Sequence, residues 1–188
     1  MAGKGAKRHA VFLDRDGVIN RSHVRNGKPY APRTLAEFRL LPGVAGAVAE
    51  LKAAGYLVIV VTNQPDVGHG LISPATLDAM HARLRRTVAV DDIYVCPHRQ
   101  DEGCSCRKPK PGLLRRAMAR WGVEPAGSIM IGDRWNDVVA GKKAGLYTAF
   151  VDRNYAEALV EEPDVTARSL PHAVAQILTT GADKRGES

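Results

Sequence analysis

Residues 10–20 read Ala10-Val11-Phe12-Leu13-Asp14-Arg15-Asp16-Gly17-Val18-Ile19-Asn20, and this stretch decides the fold. Its apolar start predicts a fully buried strand, so Asp14 is expected at the carboxyl end of that strand, where open α/β sheets bind their ligands. Two carboxylates followed by a glycine turn can serve a divalent cation and a phosphoryl group together. The spacing of Asp14 and Asp16 therefore indicates a chemical site.

Strand-like and helix-like segments alternate along the rest of the chain. The pattern predicts an α/β fold, a doubly wound, Rossmann-like parallel sheet with right-handed crossovers and helices on both faces. Asp14, Thr62, Cys96 and Asp133 each follow a different predicted strand. Because parallel strands end at one edge of the sheet, these four residues are expected to meet there.

Length and composition fit one domain. The chain has 188 residues, 45% of them hydrophobic and 25% charged, so we expect a single domain over residues 1–188 with a core at about 9–180 and a flexible tail at 181–188. The polar, turn-rich segment 21–39 is too short to fold alone, and so is the segment 64–73. We therefore expect no large cap domain.

Nothing in the sequence predicts a membrane span. No apolar run approaches the roughly 20 residues that a bilayer requires, and residues 1–9 lack the apolar core of a signal peptide. A cytoplasmic location is the expectation. The oligomeric state stays open, and a monomer is compatible with the sequence.

The basic balance narrows the class of partner. Lysine and arginine number 27 against 20 acidic residues, a formal charge of +7, which suits nucleic acid, anionic substrates or solubility. The basic residues are dispersed except for Arg83, Arg85 and Arg86 on one predicted helix, and aromatic residues make up only 5%. With no aromatic platform on which bases could stack, we expect a small phosphorylated metabolite as partner and no nucleic acid.

All three cysteines lie in one short stretch, Cys96-Pro97-His98-Arg99-Gln100-Asp101-Glu102-Gly103-Cys104-Ser105-Cys106. Cys96, His98, Cys104 and Cys106 offer a closed four-ligand set that suits structural Zn²⁺ and leaves no open position for catalysis. A disulfide is the alternative, opposed by the odd number of cysteines and the expected compartment. The ion would order a loop without a core of its own and so present Arg107 and Lys108.

Four motifs in order resemble the haloacid dehalogenase superfamily of phosphatases. They are Asp14-Arg15-Asp16-Gly17 with Asn20, Thr62-Asn63-Gln64, Arg107-Lys108-Pro109-Lys110-Pro111-Gly112, and Gly132-Asp133-Arg134-Trp135-Asn136-Asp137. The resemblance covers about residues 10–152. The Cys-His-Cys-Cys insertion is similar to the branch that contains the D-glycero-D-manno-heptose 1,7-bisphosphate phosphatases and the histidinol phosphatases.

The resemblance implies a hydrolysis in two steps. Asp14 would be the nucleophile and form an aspartyl phosphate, while Asp16 would protonate the leaving oxygen and then activate water. The chemistry agrees, since a carboxylate nucleophile requires a second titratable group to neutralise the departing alkoxide. Either aspartate on its own could equally be a turn cap after a strand.

The remaining motif residues would hold the phosphate. The resemblance assigns phosphate or substrate contacts to Asn20, to the Thr62 hydroxyl and to the Asn63 backbone N–H. Lys108 would supply a fixed positive charge and Arg107 a fork for substrate recognition. Taken singly, Thr62 could simply end a strand, and Arg107 and Lys108 could belong to a solvated loop.

Magnesium is the second expected metal. The resemblance implies Mg²⁺ ligands from Asp14, the Asp16 carbonyl oxygen and Asp133, which together with phosphate and waters suit a hard cation. Asp137 would hold a metal-bound water or orient Lys108. It could also merely begin a helix, where an acidic residue is favoured.

Departures from the family pattern concern the substrate. Pro65-Asp66-Val67 replaces the usual small residue and glycine, and only five residues separate His98 from Cys104, a length more typical of histidinol phosphatases. The Lys110-Pro111-Gly112-Leu113 sequence resembles the heptose enzymes. We favour removal of the 7-phosphate of heptose 1,7-bisphosphate, with histidinol phosphate as the alternative. A non-catalytic, basic zinc module that binds nucleic acid is the alternative of another class.

Overall fold

A parallel sheet dominates the computed structural model, which describes residues 8–181. The described residues form eight strands: β1 Ala10–Leu13, β2 His23–Arg25, β3 Lys28–Tyr30, β4 Leu57–Asn63, β5 Asp92–Cys96, β6 Ile129–Gly132, β7 Tyr147–Val151 and β8 Val165–Ala167. Six of them form the sheet in the order β5-β4-β1-β6-β7-β8, with every neighbouring pair parallel. The predicted doubly wound sheet is confirmed. The predicted flexible tail lies, apart from Gly181, outside the described residues.

Helices connect the strands. They are α1 Val44–Ala53, α2 Pro65–Gly68, α3 Pro74–Thr87, α4 Gly112–Trp121, α5 Trp135–Lys143 and α6 Leu170–Thr180. Ser73 caps α3 and Ser169 caps α6, and each serine side chain accepts a hydrogen bond from the backbone N–H three residues later. A proline follows each serine within two residues. Within residues 8–181, no helix is long and apolar enough to cross a membrane.

The sheet is covered on both faces, as predicted. One apolar cluster packs α1, α3 and α6 against it, and a second packs α4 and α5 against the opposite face. The strand β1 serves both clusters by alternation, with Val11 and Leu13 in the first and Ala10 and Phe12 in the second. Full burial of all four residues explains why the sequence reads as a continuous apolar run.

A small hairpin stands above the sheet where the sequence predicted only a polar, turn-rich segment. Strands β2 and β3 pair antiparallel, with His23 opposite Tyr30 and Arg25 opposite Lys28. Asn26 and Gly27 form the turn with positive φ values of 50° and 72°, the conformation that favours Asn-Gly in tight hairpins. In the described part of the chain, residues 21–43 contribute this hairpin and residues 64–73 contribute the one-turn helix α2. No cap domain is inserted in either segment.

The sheet order explains how the motifs meet. Strands β5, β4, β1 and β6 are consecutive neighbours, and their carboxyl ends carry Cys96, Thr62 and Asn63, Asp14, and Asp133. The edge predicted from the sequence to gather these residues is therefore one continuous surface.

Candidate active site

A cavity of about 490 Å³ opens at this edge of the sheet. Its walls come from the β1–β2 segment, the β2–β3 hairpin, the β4–α3 segment, the cysteine-containing loop and the start of α5. Its lining residues include Asp14, Asp16, Lys28, Tyr30, Asn63, Gln64, Asp66, Arg107, Lys108 and Arg134. A volume of this size accommodates a small phosphorylated metabolite.

Lys108 lies at the floor of the cavity, close to three acceptors. Its Nζ is 2.7 Å from Asp14 Oδ1, 2.6 Å from Asp137 Oδ1 and 2.8 Å from the Val61 carbonyl oxygen. The Lys108 side chain is only 2% exposed. An ammonium has three N–H donors, so the floor fixes both its charge and its direction.

Asp133 and Asp137 complete an acidic cluster with Asp14. One oxygen from each of the three carboxylates lies within 4.8 Å of the other two. Glycine permits this approach: a Cβ on Gly17 would lie 1.7 Å from Asp133 Oδ2, and one on Gly132 would lie 2.1 Å from the Asp137 Cβ. Any larger residue at either position would displace a carboxylate.

The charges of the cluster favour the binding of a cation. Burial raises the pKa of Asp14 to about 6, although Lys108 opposes the shift. Burial, with the Asp14 and Asp137 charges, raises the pKa of Asp133 well above its usual value. Burial alone would lower the pKa of Lys108, but Asp137 and Asp14 raise it above its usual value. One ammonium does not neutralise three carboxylates, so the cluster favours additional positive charge.

Asp133 has a free oxygen for such a cation. Its Oδ2 accepts a hydrogen bond of 2.8 Å from the Tyr155 hydroxyl, whereas its Oδ1 is buried without a hydrogen-bond partner. A buried carboxylate oxygen without a partner is costly unless a ligand supplies one. Hard oxygen donors of this kind fit Mg²⁺.

Asp137 has a different neighbourhood. Besides its ion pair with Lys108, it accepts a hydrogen bond from the Arg134 backbone N–H in the capping box that begins α5. The sequence left three roles open for Asp137. The contacts fit orienting Lys108 and beginning the helix together.

Asp16 is held from several sides. The Arg15 guanidinium, fully buried, donates to both carboxylate oxygens at 3.0 to 3.2 Å. Asn20 Nδ2 donates at 2.8 Å and Gln64 Nε2 at 2.6 Å. The Asp16 side chain stays 13% exposed, at the cavity wall. This support fixes Asp16 next to Asp14.

Two expected phosphate contacts look different in the structure. Asn20 is fully buried and does not line the cavity, and its amide reaches Asp16 and the Arg21 carbonyl. Both donors of its amide are used inside the protein, and the expected substrate contact stays a prediction. Thr62 is also buried, and its hydroxyl accepts from Gln64.

Asn63 ties the β4 end to the Lys108 segment. Its side chain donates to the Lys108 carbonyl and accepts from the Lys108 N–H, both at 3.1 Å. The carboxamide therefore locks the backbone of Lys108 in place. The backbone N–H is therefore the group of Asn63 that is left for a phosphate contact, the contact predicted from the sequence.

The charged side chains of the upper cavity wall differ in whether an ion pair already engages them. Arg134 pairs with Glu157, and Asp66 pairs with Arg33 at 2.7 Å. No acidic partner is found for Arg107 or Lys28 among the ion pairs of residues 8–181; Arg107 donates to the His98 carbonyl at 3.4 Å. Arg107 and Lys28 are thus the cations that an anionic substrate group can reach with least competition.

The cysteine-containing loop holds a second cluster. The ligand atoms of Cys96, His98, Cys104 and Cys106 lie within 4.8 Å of one another, and their sulfur–sulfur distances are 3.1 to 3.6 Å. All three cysteines are free in this structure, which favours a metal site over the disulfide alternative. Sulfur ligands about 2.3 Å from a tetrahedral zinc ion would be about 3.8 Å apart, so this cluster, here the Cys3His cluster, is close to that geometry.

The backbone of the Cys3His loop also supports the cavity. The Cys96 carbonyl accepts from the Gln64 N–H at 2.7 Å, and the Pro97 carbonyl accepts from the Gly68 N–H at 3.1 Å. Gly68 has no room for a side chain, because a Cβ would lie 2.6 Å from the Pro97 oxygen. The loop therefore packs directly on the turn that carries Gln64, a partner of Asp16.

Three residues of the site were missed by sequence reasoning. Arg15 and Gln64 lie inside quoted motifs, but their partners depend on the tertiary structure. Tyr155 lies beyond the last motif, in the β7–β8 segment, and reaches back to Asp133 across 22 positions. A tyrosine in an irregular segment carries no periodic signal that would have indicated this contact.

The chain is similar in sequence to known hydrolases. The family model of the haloacid dehalogenase-like hydrolases matches residues 22–145. The chain belongs to the haloacid dehalogenase-like hydrolase family. Within that family it is a phosphatase, as its named relatives are.

Two curated relatives and one solved structure are especially informative. The D-glycero-β-D-manno-heptose-1,7-bisphosphate 7-phosphatase of Pseudomonas putida is 40% identical over 163 residues, 83% of this chain and 90% of the relative. The corresponding α-anomer phosphatase of Mycobacterium tuberculosis is 38% identical over 148 residues, 73% and 74% of the two chains. The D,D-heptose 1,7-bisphosphate phosphatase of Bordetella bronchiseptica, complexed with magnesium and phosphate, matches with a TM-score of 0.81 and 33% identity, covering 92% of this chain and 99% of the other.

Proposed function

We propose that this chain is a Mg²⁺-dependent phosphatase that removes the 7-phosphate of D-glycero-D-manno-heptose 1,7-bisphosphate through an aspartyl-phosphate intermediate. The observation that carries the proposal is the buried cluster of Asp14, Lys108, Asp133 and Asp137 at the floor of an open cavity. The names of the relatives supply the substrate, since enzymes acting on both anomers are similar to this chain.

Asp14 is the proposed nucleophile. It lines the cavity, and Lys108 holds its Oδ1 at 2.7 Å, which fixes the carboxylate for attack on phosphorus. A bond forms between an Asp14 oxygen and phosphorus as the bond to the sugar oxygen breaks. Water then attacks the aspartyl phosphate, releasing inorganic phosphate and restoring Asp14.

Asp16 is the proposed acid and base. In the first step it gives a proton to the departing sugar oxygen, and in the second it accepts one from the attacking water. Arg15, Asn20 and Gln64 hold its carboxylate at the cavity wall. Their role is to place the proton donor on the side of the leaving group.

Mg²⁺ would be bound by Asp14, Asp133 and the Asp16 carbonyl oxygen. The buried Asp133 Oδ1 without a partner supports this set. When bound, the ion supplies positive charge that offsets the charge on the phosphoryl oxygens during transfer. Lys108, oriented by Asp137, supplies the fixed cation on the protein side.

The phosphate that is not transferred requires its own partner. Arg107 is proposed for this role because it lines the cavity outside the acidic cluster and has a fork suited to phosphate. The Thr62 hydroxyl accepts from Gln64, which in turn holds Asp16, and Asn63 offers its backbone N–H to the transferred phosphate.

The Cys3His cluster is proposed to bind one structural Zn²⁺. Four ligands close a tetrahedron and leave no position for water, so the ion would order the loop and with it Arg107 and Lys108. The nucleic-acid alternative is less well supported, because two of the α3 arginines are engaged: Arg83 donates to the Leu35 and Phe38 carbonyls and Arg85 pairs with Asp92.

A phosphate-release assay tests the proposal. The substrates are the α and β anomers of heptose 1,7-bisphosphate, histidinol phosphate, and a set of sugar monophosphates, each with Mg²⁺ and with excess chelator. We expect the highest kcat/KM for one heptose bisphosphate anomer and no turnover in chelator. Preferential hydrolysis of histidinol phosphate would replace the substrate, and metal-independent turnover would overturn the mechanism.

A further inference from the structure

The segment 152–157, here called the strap, follows β7 and makes four contacts with three parts of the active site: the turn after β1, the β2–β3 hairpin and the β6–α5 junction. Its contacts are Arg153 Nε to the Gly17 carbonyl at 2.7 Å, Tyr155 Oη to Asp133 Oδ2 at 2.8 Å, the Ala156 N–H to the Gly27 carbonyl at 2.8 Å, and Glu157 to Arg134. Four such contacts on a segment without helix or strand fix its position over Asp133.

The contact between Tyr155 and Asp133 is built into a tight cradle. Asp133 is 1% exposed, and the Tyr155 hydroxyl lies beside Gly17, where a Cβ would be 2.9 Å from the hydroxyl oxygen. Gly17 has a φ of 87°, a backbone conformation that L side chains rarely adopt. The motif glycine therefore leaves space for both partners of this hydrogen bond.

The two oxygens of Asp133 differ in a way that points to a metal. Oδ2 is occupied by the phenol, and the buried Oδ1 has no hydrogen-bond partner. A carboxylate that binds a metal ion is ionised and only accepts, so in that state the phenol is the donor and its direction is defined.

We propose that Tyr155 is a positioning residue for Asp133: by holding Oδ2, it directs the free Oδ1 toward the cluster with Asp14 and so sets the affinity for Mg²⁺. The inference rests on the proposed function for the identity of the ion. Groups that hydrogen-bond to metal ligands orient them, and their removal typically costs about 10- to 100-fold in metal affinity.

Tyr155→Phe tests this role because it removes only the hydroxyl. Mg²⁺ affinity is measured by titration calorimetry on metal-free protein and by the Mg²⁺ dependence of phosphate release. We expect Mg²⁺ affinity to fall about 10- to 100-fold. The rate at saturating Mg²⁺ should recover to near the wild-type value, a recovery that general loss of structure would not show.

Tyr30→Phe is the matched control. Tyr30 also lines the cavity, but the structure shows no contact between its hydroxyl and Asp133. Its Mg²⁺ affinity should equal that of wild type. An equal loss in both variants, an unchanged affinity in Tyr155→Phe, or a lost rate that excess Mg²⁺ does not restore would each overturn the proposal.

A double-mutant cycle with Asp133→Asn separates direct positioning from general stability. Once Asp133 can no longer bind the ion as a carboxylate, adding Tyr155→Phe should change residual Mg²⁺ binding very little. Additive losses would mean that Tyr155 acts elsewhere and would overturn the proposal. Calorimetry requires no substrate, so a wild type that binds Mg²⁺ but hydrolyses none of the tested esters would refute the proposed function alone.

Discussion

The Lys108 ammonium lies 2.6 Å from Asp137 Oδ1, and both side chains are almost fully buried. The pair stands at the junction of two motifs that are 29 positions apart in sequence, and the same ammonium reaches Asp14 at 2.7 Å. A buried charge is tolerated when it is paired, and here Lys108 and Asp137 form an ion pair while the ammonium also donates to Asp14 and to the Val61 carbonyl. The catalytic floor is therefore also a structural element of the fold.

Lys108→Met should affect stability and turnover together. Without the ammonium, three buried carboxylates face one another, and breaking a buried pair typically costs about 3–5 kcal/mol. We expect urea unfolding of the metal-free variant at pH 7 to show a loss of that size. Adding Mg²⁺ should recover part of it, because the ion replaces some of the missing charge. A variant as stable as wild type without metal would contradict this description of the floor.

Asp14→Asn should abolish turnover and leave the fold intact. An amide is neither a nucleophile for phosphorus nor an anionic metal ligand, so both proposed tasks of Asp14 fail together. Lys108 keeps Asp137 and the Val61 carbonyl as partners, which is why the protein should still fold. The measurements are phosphate release and a thermal melt, and retained turnover would refute the nucleophile assignment.

Asp16→Asn should slow the reaction in proportion to the demands of the leaving group. Asparagine keeps one acceptor oxygen for the buried Arg15 guanidinium, while its amide nitrogen faces the donor Asn20 Nδ2 or Gln64 Nε2. A thermal melt recorded beside the rates therefore separates loss of the proton donor from loss of structure. We expect the rate of hydrolysis of a sugar phosphate to fall about 10²- to 10⁴-fold. An activated aryl phosphate should lose much less, and equal losses for both esters would exclude Asp16 as the general acid.

The gathering of the motifs could be predicted from sequence because it depends on one regular feature. Apolar runs define β1, β4, β5 and β6, and parallel strands place their carboxyl ends on one edge whatever their order. The positions of Asp14, Thr62, Cys96 and Asp133 followed from that rule. The hairpin did not, because its strands of three residues are too short and too exposed to show a period.

The direction of individual side chains could not be predicted. Asn20 lies at the position that a family pattern links to substrate, yet its amide turns inward to Asp16. Arg15 reads as a charged residue in a turn but is the largest fully buried side chain among residues 8–181. Such choices depend on partners distant in sequence, such as Gln64 and His81, that no local pattern identifies.

His81 should make stability depend on pH below neutrality. Its Nε2 lies 3.2 Å from Arg15 Nη1, which can only donate, so the imidazole is neutral. Burial, and then the Arg15 charge, lowers the pKa of His81 from 6.5 to about 4. The unfolded chain takes up a proton below pH 6.5 that the folded protein refuses until about pH 4, so this residue's contribution to stability is lost as pH falls across that window.

His81→Gln isolates that contribution, since glutamine can accept from Arg15 without titrating. Urea unfolding at several pH values between 7 and 4 should show a steeper loss of stability for wild type than for the variant. The difference between the two proteins is the quantity to follow, because zinc ligands also bind protons in acid. Parallel curves would show that His81 does not carry this dependence.

Cys104→Ser should lower zinc content and disturb substrate binding while leaving the Mg²⁺ requirement unchanged. Serine is a poor zinc ligand, and the loop that the Cys3His cluster closes carries the backbone contacts to Gln64 and Gly68 and leads into Arg107 and Lys108. Elemental analysis should find about one zinc per wild-type chain and less in the variant. KM for the best ester should rise together with a fall in kcat, since the loop both orients Arg107 and supports the Asp16 partner Gln64. A wild-type protein that is fully active and free of zinc would refute the structural metal, and a variant that loses zinc but keeps KM and kcat would show that the loop does not depend on it.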